Sequence, residues 1–380
     1  MSVATFPCSS CGAELEFKPG TNSLTCPYCH GLNEIPELPE GVEEQDFQGM
    51  LGRLDKDAEH VDRLDVPCGS CGAVVELPEN VTSAACPFCG SNVVATGASH
   101  RIIKPQGVLP FGIARDKAQS MFREWIGGLW FAPSDLKQLA AMSGVELSGG
   151  RAMSGAGSSM QGSVLSGVYL PYWTFDAKTT TPYTGQRGDA YYETQSYTAM
   201  VNGRPQPRTR QVRKIRWSWA SGTVFNVFDD VLVPATGSLP QKTLASLGSW
   251  DTKDVVAYND AFLSGFRAES YTVTLAEGFS LAQRRMERMI EDTIRRDIGG
   301  DEQRIHSMSP HYQEITFKHV LVPVWISSYR YRGKIFRFIV NARSGRIAAE
   351  RPYSGWKITL AVVLALIAIG VVVLVVASQR

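Results

Sequence analysis

The sequence predicts an α+β protein: two N-terminal four-cysteine modules, a mixed α+β domain of two related halves, and one C-terminal transmembrane helix. Three observations carry that prediction. All eight cysteines lie before residue 90, in CxxC pairs. The middle of the chain alternates strand-like runs rich in aromatic and β-branched residues with stretches whose apolar residues recur at helical spacing. Near the C-terminus, residues 358–377 are twenty residues without a charge, fourteen of them Ile, Leu or Val.

The cysteines come first. Cys8-x2-Cys11-x14-Cys26-x2-Cys29 returns as Cys68-x2-Cys71-x14-Cys86-x2-Cys89, the same spacing at a period of 60. The flanks return too: PCSSCGA at 7–13 matches PCGSCGA at 67–73, and Cys26-Pro27-Tyr28-Cys29 matches Cys86-Pro87-Phe88-Cys89. A CxxC turn puts two thiolates on one side of an ion, and a short hairpin brings the second pair opposite, which gives a tetrahedral all-sulfur site. Four protein ligands leave no open position, so the expected occupant is one structural Zn2+ per module; a module of about 25 residues has too little core to fold without it. Iron and a redox dithiol are the competing readings. His30 follows Cys29 directly, but beside a complete set of four cysteines it reads as a bystander. The expected boundaries are 1–32 for the first zinc ribbon, 33–65 for an acidic linker, and 66–97 for the second ribbon. The α+β domain then covers 98–355, and 356–380 form the C-terminal segment.

Charge is unevenly spread. Residues 1–97 hold fifteen Asp or Glu and four Lys or Arg, net −11; the rest hold 22 acidic and 34 basic residues, net +12. Phosphate contact needs Lys and Arg to displace counterions, so the ribbons are poorly suited to nucleic acid and better suited to a protein partner. The linker begins Ile35-Pro36-Glu37-Leu38-Pro39-Glu40 and then offers Phe47, Met50, Leu51, Leu54, Val61 and Leu64, spaced for a short amphipathic helix. A solvated spacer and a partner-docking helix are both open readings.

Beyond the ribbons, residues 102–110 look extended, and Ala114, Ala118, Met121, Phe122 and Trp125 form a helical stripe. Ser134 can cap a shorter helix running to residue 141. Residues 143–167 turn to Gly, Ser, Ala and Met, too little apolar mass to order themselves, and read as a flexible insertion. A strand is expected over 168–181, a turn near Gly185, and a resumption through Tyr191, Tyr192 and Tyr197. Arg204, Arg208, Arg210, Arg213, Lys214 and Arg216 then lead into Trp217 and Trp219. This basic and aromatic run suits a solvated hairpin, anionic lipid or nucleic acid. A further strand covers 225–234 with Asp229 and Asp230 in it, and no partner cluster for that pair is identifiable from sequence. Ser280 with Gln283 three residues on has the capping-box pattern for a helix carrying Ala282, Met286, Met289, Ile290, Thr293 and Ile294, and Gly299-Gly300 ends it. A hairpin around Gly333 and a turn over 341–345 complete the domain. His306, His311 and His319 are irregularly spaced and read as ordinary histidines. LPYW at 170–173 and VPVW at 322–325 each follow a helix and open a strand, which suggests the two related halves.

The C-terminal run makes a helix of roughly 30 Å, the thickness of a bilayer's hydrocarbon core. Arg343, Arg346, Arg351 and Lys357 precede it and Arg380 alone follows, so the positive-inside rule leaves the N-terminal bulk in the cytoplasm of a single-pass cell-membrane protein. That compartment is reducing, which agrees with cysteines used as metal ligands. No signal peptide competes at residues 1–7. Nor is there enzyme chemistry to read. GxxxxGK[ST], GxSxG and HExxH are all absent, and in the nearest approach, 237–243, Lys242 stands where the second glycine belongs.

Taken together, the paired CPxC ribbons, LPYWTFDA at 170–177, FDDVLVP at 228–234, IGGDEQRI at 298–305, FKHVLVPVW at 317–325 and VNARSGRI at 340–347 resemble a bacterial family of TFIIB-type zinc-ribbon membrane proteins. Members are often labelled primosomal protein N′ or helicase, a label for which this chain lacks the nucleotide site. The family is also similar to zinc-ribbon membrane proteins that hold PspA-like or SPFH-domain partners at the membrane. The glycine-rich insertion departs from the family's compact pattern. The charge split together with the C-terminal anchor predicts a tail-anchored, non-catalytic adaptor or scaffold at the cytoplasmic membrane face, and the resemblance adds a role in a membrane-stress response. The rival expectation is a membrane-tethered nucleic-acid-binding protein using residues 204–216 with Trp217 and Trp219. The oligomeric state is not legible.

Overall fold

The computed structural model describes residues 6–36, 41–54, 61–68, 73–77, 83–86, 88, 92–94, 99–129, 161–162, 165–201, 204–331, 334–350 and 355–378. The helix expected after Ser134, most of the 143–167 insertion, the turn at Gly333, and Cys71 and Cys89 lie outside them. Among the described residues the dominant feature is one 11-stranded sheet, largely antiparallel, so the expected balance of α and β gives way to a protein built mainly of β-structure. Numbered in chain order, its strands are β1 (Gln45–Asp46), β2 (Gly107–Val108), β3 (Gln161–Gly162), β4 (Ser166–Val201), β5 (Arg204–Pro234), β6 (Val256–Ala257), β7 (Arg267–Ala268), β8 (Glu302–Met308), β9 (His311–Tyr331), β10 (Lys334–Asn341) and β11 (Ile347–Ala349). The helices are α1 (Phe47–Leu54), α2 (Arg115–Gly128), α3 (Gln241–Ser246), α4 (Leu275–Ile298) and α5 (Gly355–Ser378). The sheet runs β5-β4-β9-β2-β6, with the other strands paired along β4, β9 and β10.

The surplus of strand comes from β4 and β5, which pair from Tyr172↔Pro234 to Val201↔Arg204. The turn expected near Gly185 does not exist. Gly185 pairs with both Ala220 and Ile305 inside the sheet, and a Cβ there would lie 2.4 Å from the Arg304 carbonyl oxygen. Glycine in this strand marks the close approach of β8, not a reversal.

Helix α4 begins earlier than the Ser280 pattern implies. Thr274 is its N-cap, and Thr274 and Glu277 form the capping box: the Glu277 N–H donates to the Thr274 hydroxyl (3.3 Å) and the Thr274 N–H to the Glu277 carboxylate (2.9 Å). Gly278, a residue that weakens helices by roughly 1 kcal/mol, hides this start in the sequence. The structure needs it, because a Cβ would lie 2.5 Å from Cδ1 of Trp173. The helix then buries Phe279, Ala282, Met286, Ile290, Ile294 and Ile298, while Met289 of the expected stripe faces out. Gly299 closes it with φ 66°.

The LPYW and VPVW motifs meet. β4 and β9 pair antiparallel with Leu170 opposite Val322 and Tyr169 opposite Pro323. Around this crossing one hydrogen-bond arrangement occurs twice. Trp173 Nε1 donates to Val273 O (2.9 Å), just ahead of α4, and Trp325 Nε1 donates to Ile113 O (2.8 Å), just ahead of α2. Ala235 N donates to Pro171 O and Ala342 N to Pro323 O, both at 3.0 Å. Val273 N donates to Ala235 O and Ile113 N to Ala342 O.

Alternation along β4 and β9 separates two faces. On one, Val168, Leu170, Tyr172, Val320, Val322 and Val324 pack with α3 and with Cys68, Ala73, Cys86 and Phe88 of the second cysteine module. On the other, Tyr169, Leu321 and Trp325 pack with Leu15, Phe17, Leu24, Cys26 and Ile35 of the first module, and with Ala118 of α2. The two modules therefore lie on opposite sides of one sheet. The segment between them is no free spacer where it is described: β1 pairs with β9, and Phe47 of α1 is buried among Phe175, Phe279 and Phe317.

Helix α5 exposes Leu360, Leu364, Leu366 and Ile367. Among the described residues no helix is long and apolar enough to cross a membrane, and the expected transmembrane helix is withdrawn from the fold.

Candidate metal centres

In the first module the hairpin Glu16–Phe17 and Ser23–Thr25, extended by Leu32–Glu34, brings the two CxxC turns face to face. Each turn is set by backbone hydrogen bonds: Cys8 N to Ala13 O (2.7 Å) and Gly12 N to Cys8 O (2.9 Å) in the first, Cys26 N to Gly31 O and His30 N to Cys26 O (both 3.0 Å) in the second. The four sulfurs of Cys8, Cys11, Cys26 and Cys29 all lie within 4.8 Å of one another. Three of the contacts are Cys8–Cys29 at 3.5 Å, Cys11–Cys26 at 3.5 Å and Cys11–Cys29 at 3.7 Å. Metal–sulfur bonds of about 2.3 Å imply tetrahedron edges of about 3.8 Å, so this geometry fits one tetrahedral Zn2+.

The electrostatics fit as well. Backbone N–H groups of Ser10 and Cys11 bring the Cys8 thiol down to about 6. The Gly31 N–H acts the same way on Cys29, but contact with Cys8, Cys26 and Cys11 overrides it and pushes Cys29 up to about 12. Four thiols this close cannot all ionise without a cation among them. A divalent ion held by the four cysteines would supply that charge and leave no open coordination position.

In the second module Cys68 N donates to Ala73 O at 2.8 Å, repeating the first turn of module one, and Cys68 and Cys86 are buried. The corners of the two modules differ. Tyr28, between Cys26 and Cys29, is 79 % exposed, whereas the equivalent Phe88 is 1 % exposed and sits in the sheet's core cluster. Module one is held instead by Phe17, whose N–H donates to Ser264 O (3.0 Å) and whose ring meets Phe262 edge-on at 5.3 Å. A cavity of about 810 Å³ lies where this module meets Gly265, lined also by Cys11, Glu14, Leu15, Glu16 and Tyr28. His30 takes φ 60° beside the cluster and is not among its ligands.

The acidic pair Asp229 and Asp230 has the partners that sequence did not reveal. Glu44, Asp176 and Asp229 bring carboxylate oxygens within 4.8 Å of one another, at a bulge where Asp230 takes φ 51°. Lys318 already supplies the cation, with Nζ 2.7 Å from Asp230, 3.3 Å from Glu44 and 3.9 Å from Asp176. The Thr316 hydroxyl bonds Glu44 (2.9 Å) and Asp176 (3.2 Å). Burial pushes Asp176 up to about 6, against the backbone N–H of Asp230 and the charge of Lys318. This is an ion-pair knot fastening the segment between the modules to the sheet. Two features could have hinted at it: the Asp-Asp pair within a strand, and Lys318 within the apolar FKHVLV run. The three histidines are not gathered: His306 lies tilted against Trp219 at 5.3 Å, and His319 is buried with Nδ1 2.9 Å from Ile103 O.

Residues 64–98 match the FORGETTER1 second zinc ribbon domain, which covers the second module. Over 366 residues the chain is 23 % identical to an uncharacterized Bacillus subtilis protein, YdjG, covering 94 % of this chain and 92 % of that one. No solved structure matches. The chain thus carries zinc-ribbon, metal-binding modules and has a distant relative of nearly its full length.

Proposed function

We propose that this protein is a non-catalytic adaptor that presents its first zinc ribbon to a protein partner at a membrane surface. The observation that carries the reading is the Tyr28 corner. In module two the same corner is used up inside the molecule; in module one Tyr28 and Leu32 stand 79 % and 60 % exposed, next to the cavity bearing Glu14 and Glu16. Aromatic anchors beside a charged rim are the composition of a protein-binding hot spot. Both modules hold a structural Zn2+ in this reading, the second through Cys68, Cys71, Cys86 and Cys89. The apolar side chains that α5 exposes, Leu360, Leu364, Leu366 and Ile367 among them, form an unpartnered patch that favours a membrane surface as the place of attachment. The likeness to bacterial TFIIB-type zinc-ribbon membrane proteins points to PspA-like or SPFH-domain partners in a membrane-stress response.

The test uses surface residues, because ligand substitutions would unfold the module. A pull-down from solubilised membranes compares wild type with Tyr28→Ala/Leu32→Ala. The expected result is loss of specific partners with the metal content unchanged. An identical partner set in both samples removes the Tyr28 corner from the mechanism.

A further inference from the structure

The β4–β5 hairpin outruns the sheet. Pairing with β8 ends at Gly188↔Glu302, and beyond it β4 pairs, among the described residues, with β5 alone. The remaining arm, 189–201 against 204–216, is about 40 Å long at roughly 3.3 Å per residue. Two strands have little stability of their own, so an arm of this length is poorly explained as scaffolding.

Its two faces differ in kind. Strand alternation puts Arg204, Arg208, Arg210, Lys214 and Arg216 on one side, together with Tyr191 and Tyr197 of the facing strand. The carboxylates on that side are Glu193, paired with Lys214, and Asp189, paired with Arg187. Arg204, Arg208, Arg210 and Arg216 have no ion-pair partner among the described residues. The opposite side carries Arg213, tied to Glu302 at 2.7 Å, with Tyr192, Met200 and Ile215 set among Thr194, Ser196, Thr198, Thr209 and Gln211; at its base the Arg304 guanidinium lies 3.9 Å from the Trp217 ring.

We propose that this basic face lies against the anionic phospholipid headgroups of a bilayer; the idea deepens the membrane reading above and rests on it. Three features favour a lipid surface over nucleic acid. The charges leave from one side only, which suits a plane, whereas a strand inserted in a groove meets phosphates along both of its edges. The tyrosines of that side are engaged: the Arg210 guanidinium lies 5.6 Å from the Tyr197 ring and that of Arg216 lies 5.4 Å from Tyr191, so each ring already holds a cation where a base would stack. Tyrosine beside arginine is also what a headgroup layer selects, with the ring at the interface and the charge on phosphate.

The experiment places the full chain on neutral phosphatidylcholine vesicles or on vesicles with 30 mol % phosphatidylglycerol, and follows flotation and amide hydrogen exchange. Flotation with neutral vesicles tests the attachment of α5 by itself. The arm is tested by exchange in 189–216, which should slow about 10-fold on the anionic vesicles alone and recover in 0.5 M NaCl. Arg208→Gln/Arg210→Gln/Arg216→Gln should weaken the contact about 100-fold and abolish the slowing, with exchange in α4 unchanged. Equal exchange on both vesicle types overturns the proposal. So does protection by a 20-base-pair duplex at 0.15 M salt without any effect of phosphatidylglycerol, which would assign the arm to nucleic acid. Flotation that requires phosphatidylglycerol, with arm protection retained, would instead sink the α5 attachment and keep the arm.

Discussion

The two cysteine modules start from nearly the same residues and end on opposite faces of the same sheet. Their first turns are alike to the hydrogen bond, with Cys8 N to Ala13 O at 2.7 Å and Cys68 N to Ala73 O at 2.8 Å. One aromatic position separates their fates: Tyr28 is exposed, and Phe88 is buried with Leu109, Val168 and Val322. The repeat therefore encodes a metal-closed turn, and the apolar residues set into it decide which surface that turn docks on. Each module is part of the domain's core, so metal and sheet should not come apart cleanly.

Stripping the metal is the strongest way to break the comparison. Cys26 is fully buried in the cluster of α2 and Trp325, and Cys86 in the cluster of α3 and the sheet. Cys26→Ser and Cys86→Ser should each lower the melting temperature by about 10 °C or more and reduce bound zinc by one equivalent. If each loss is confined to its own face, exchange will rise in α2 for the first variant and in α3 for the second. An unchanged melting curve in either would mean that the module is an appendage.

The corner residues sharpen it further. Phe88→Ala removes a fully buried ring and should cost about 3–5 kcal/mol, whereas Tyr28→Ala at the matching position should stay within about 0.5 kcal/mol. Denaturant titration measures both. Equal costs would erase the asymmetry on which the partner surface rests.

Much of this was legible in the sequence, and the failures have physical causes. The cysteine spacing is local chemistry, and the first module closes as the spacing implies. The stripe of α4 could be read from Ala282, Met286, Ile290 and Ile294, but its beginning could not: Gly278 speaks against a helix until Trp173, a hundred residues away, is known to lie against it. Gly185 misled in the same way, as a close contact with β8 that looks like a turn. The Glu44, Asp176, Asp229 and Lys318 knot gathers residues from four distant stretches, and only the folded register of β1, β4, β5 and β9 brings them together. The C-terminal run was read from composition alone, which fixes a helix but not its surroundings.

That knot lies where the chain passes from one module to the other, and it sets the smallest predicted effect. Burial raises the Asp176 carboxyl from 3.8 to about 6, so the native state holds a proton that the unfolded chain has already released. A group with a raised folded value stabilises the fold fully below about 4, and that contribution is lost as the pH climbs through about 6. Asp176→Asn keeps an acceptor for the Asp230 N–H and removes the titration. The melting temperature of the variant should therefore depend less on pH between 4 and 6 than that of wild type, by about 2 °C, and converge on it at the acid end of that window. Parallel melting curves for the two proteins across the window would show that the carboxylates and Lys318 titrate as one body, with the connecting segment held by β1 and Phe47 alone.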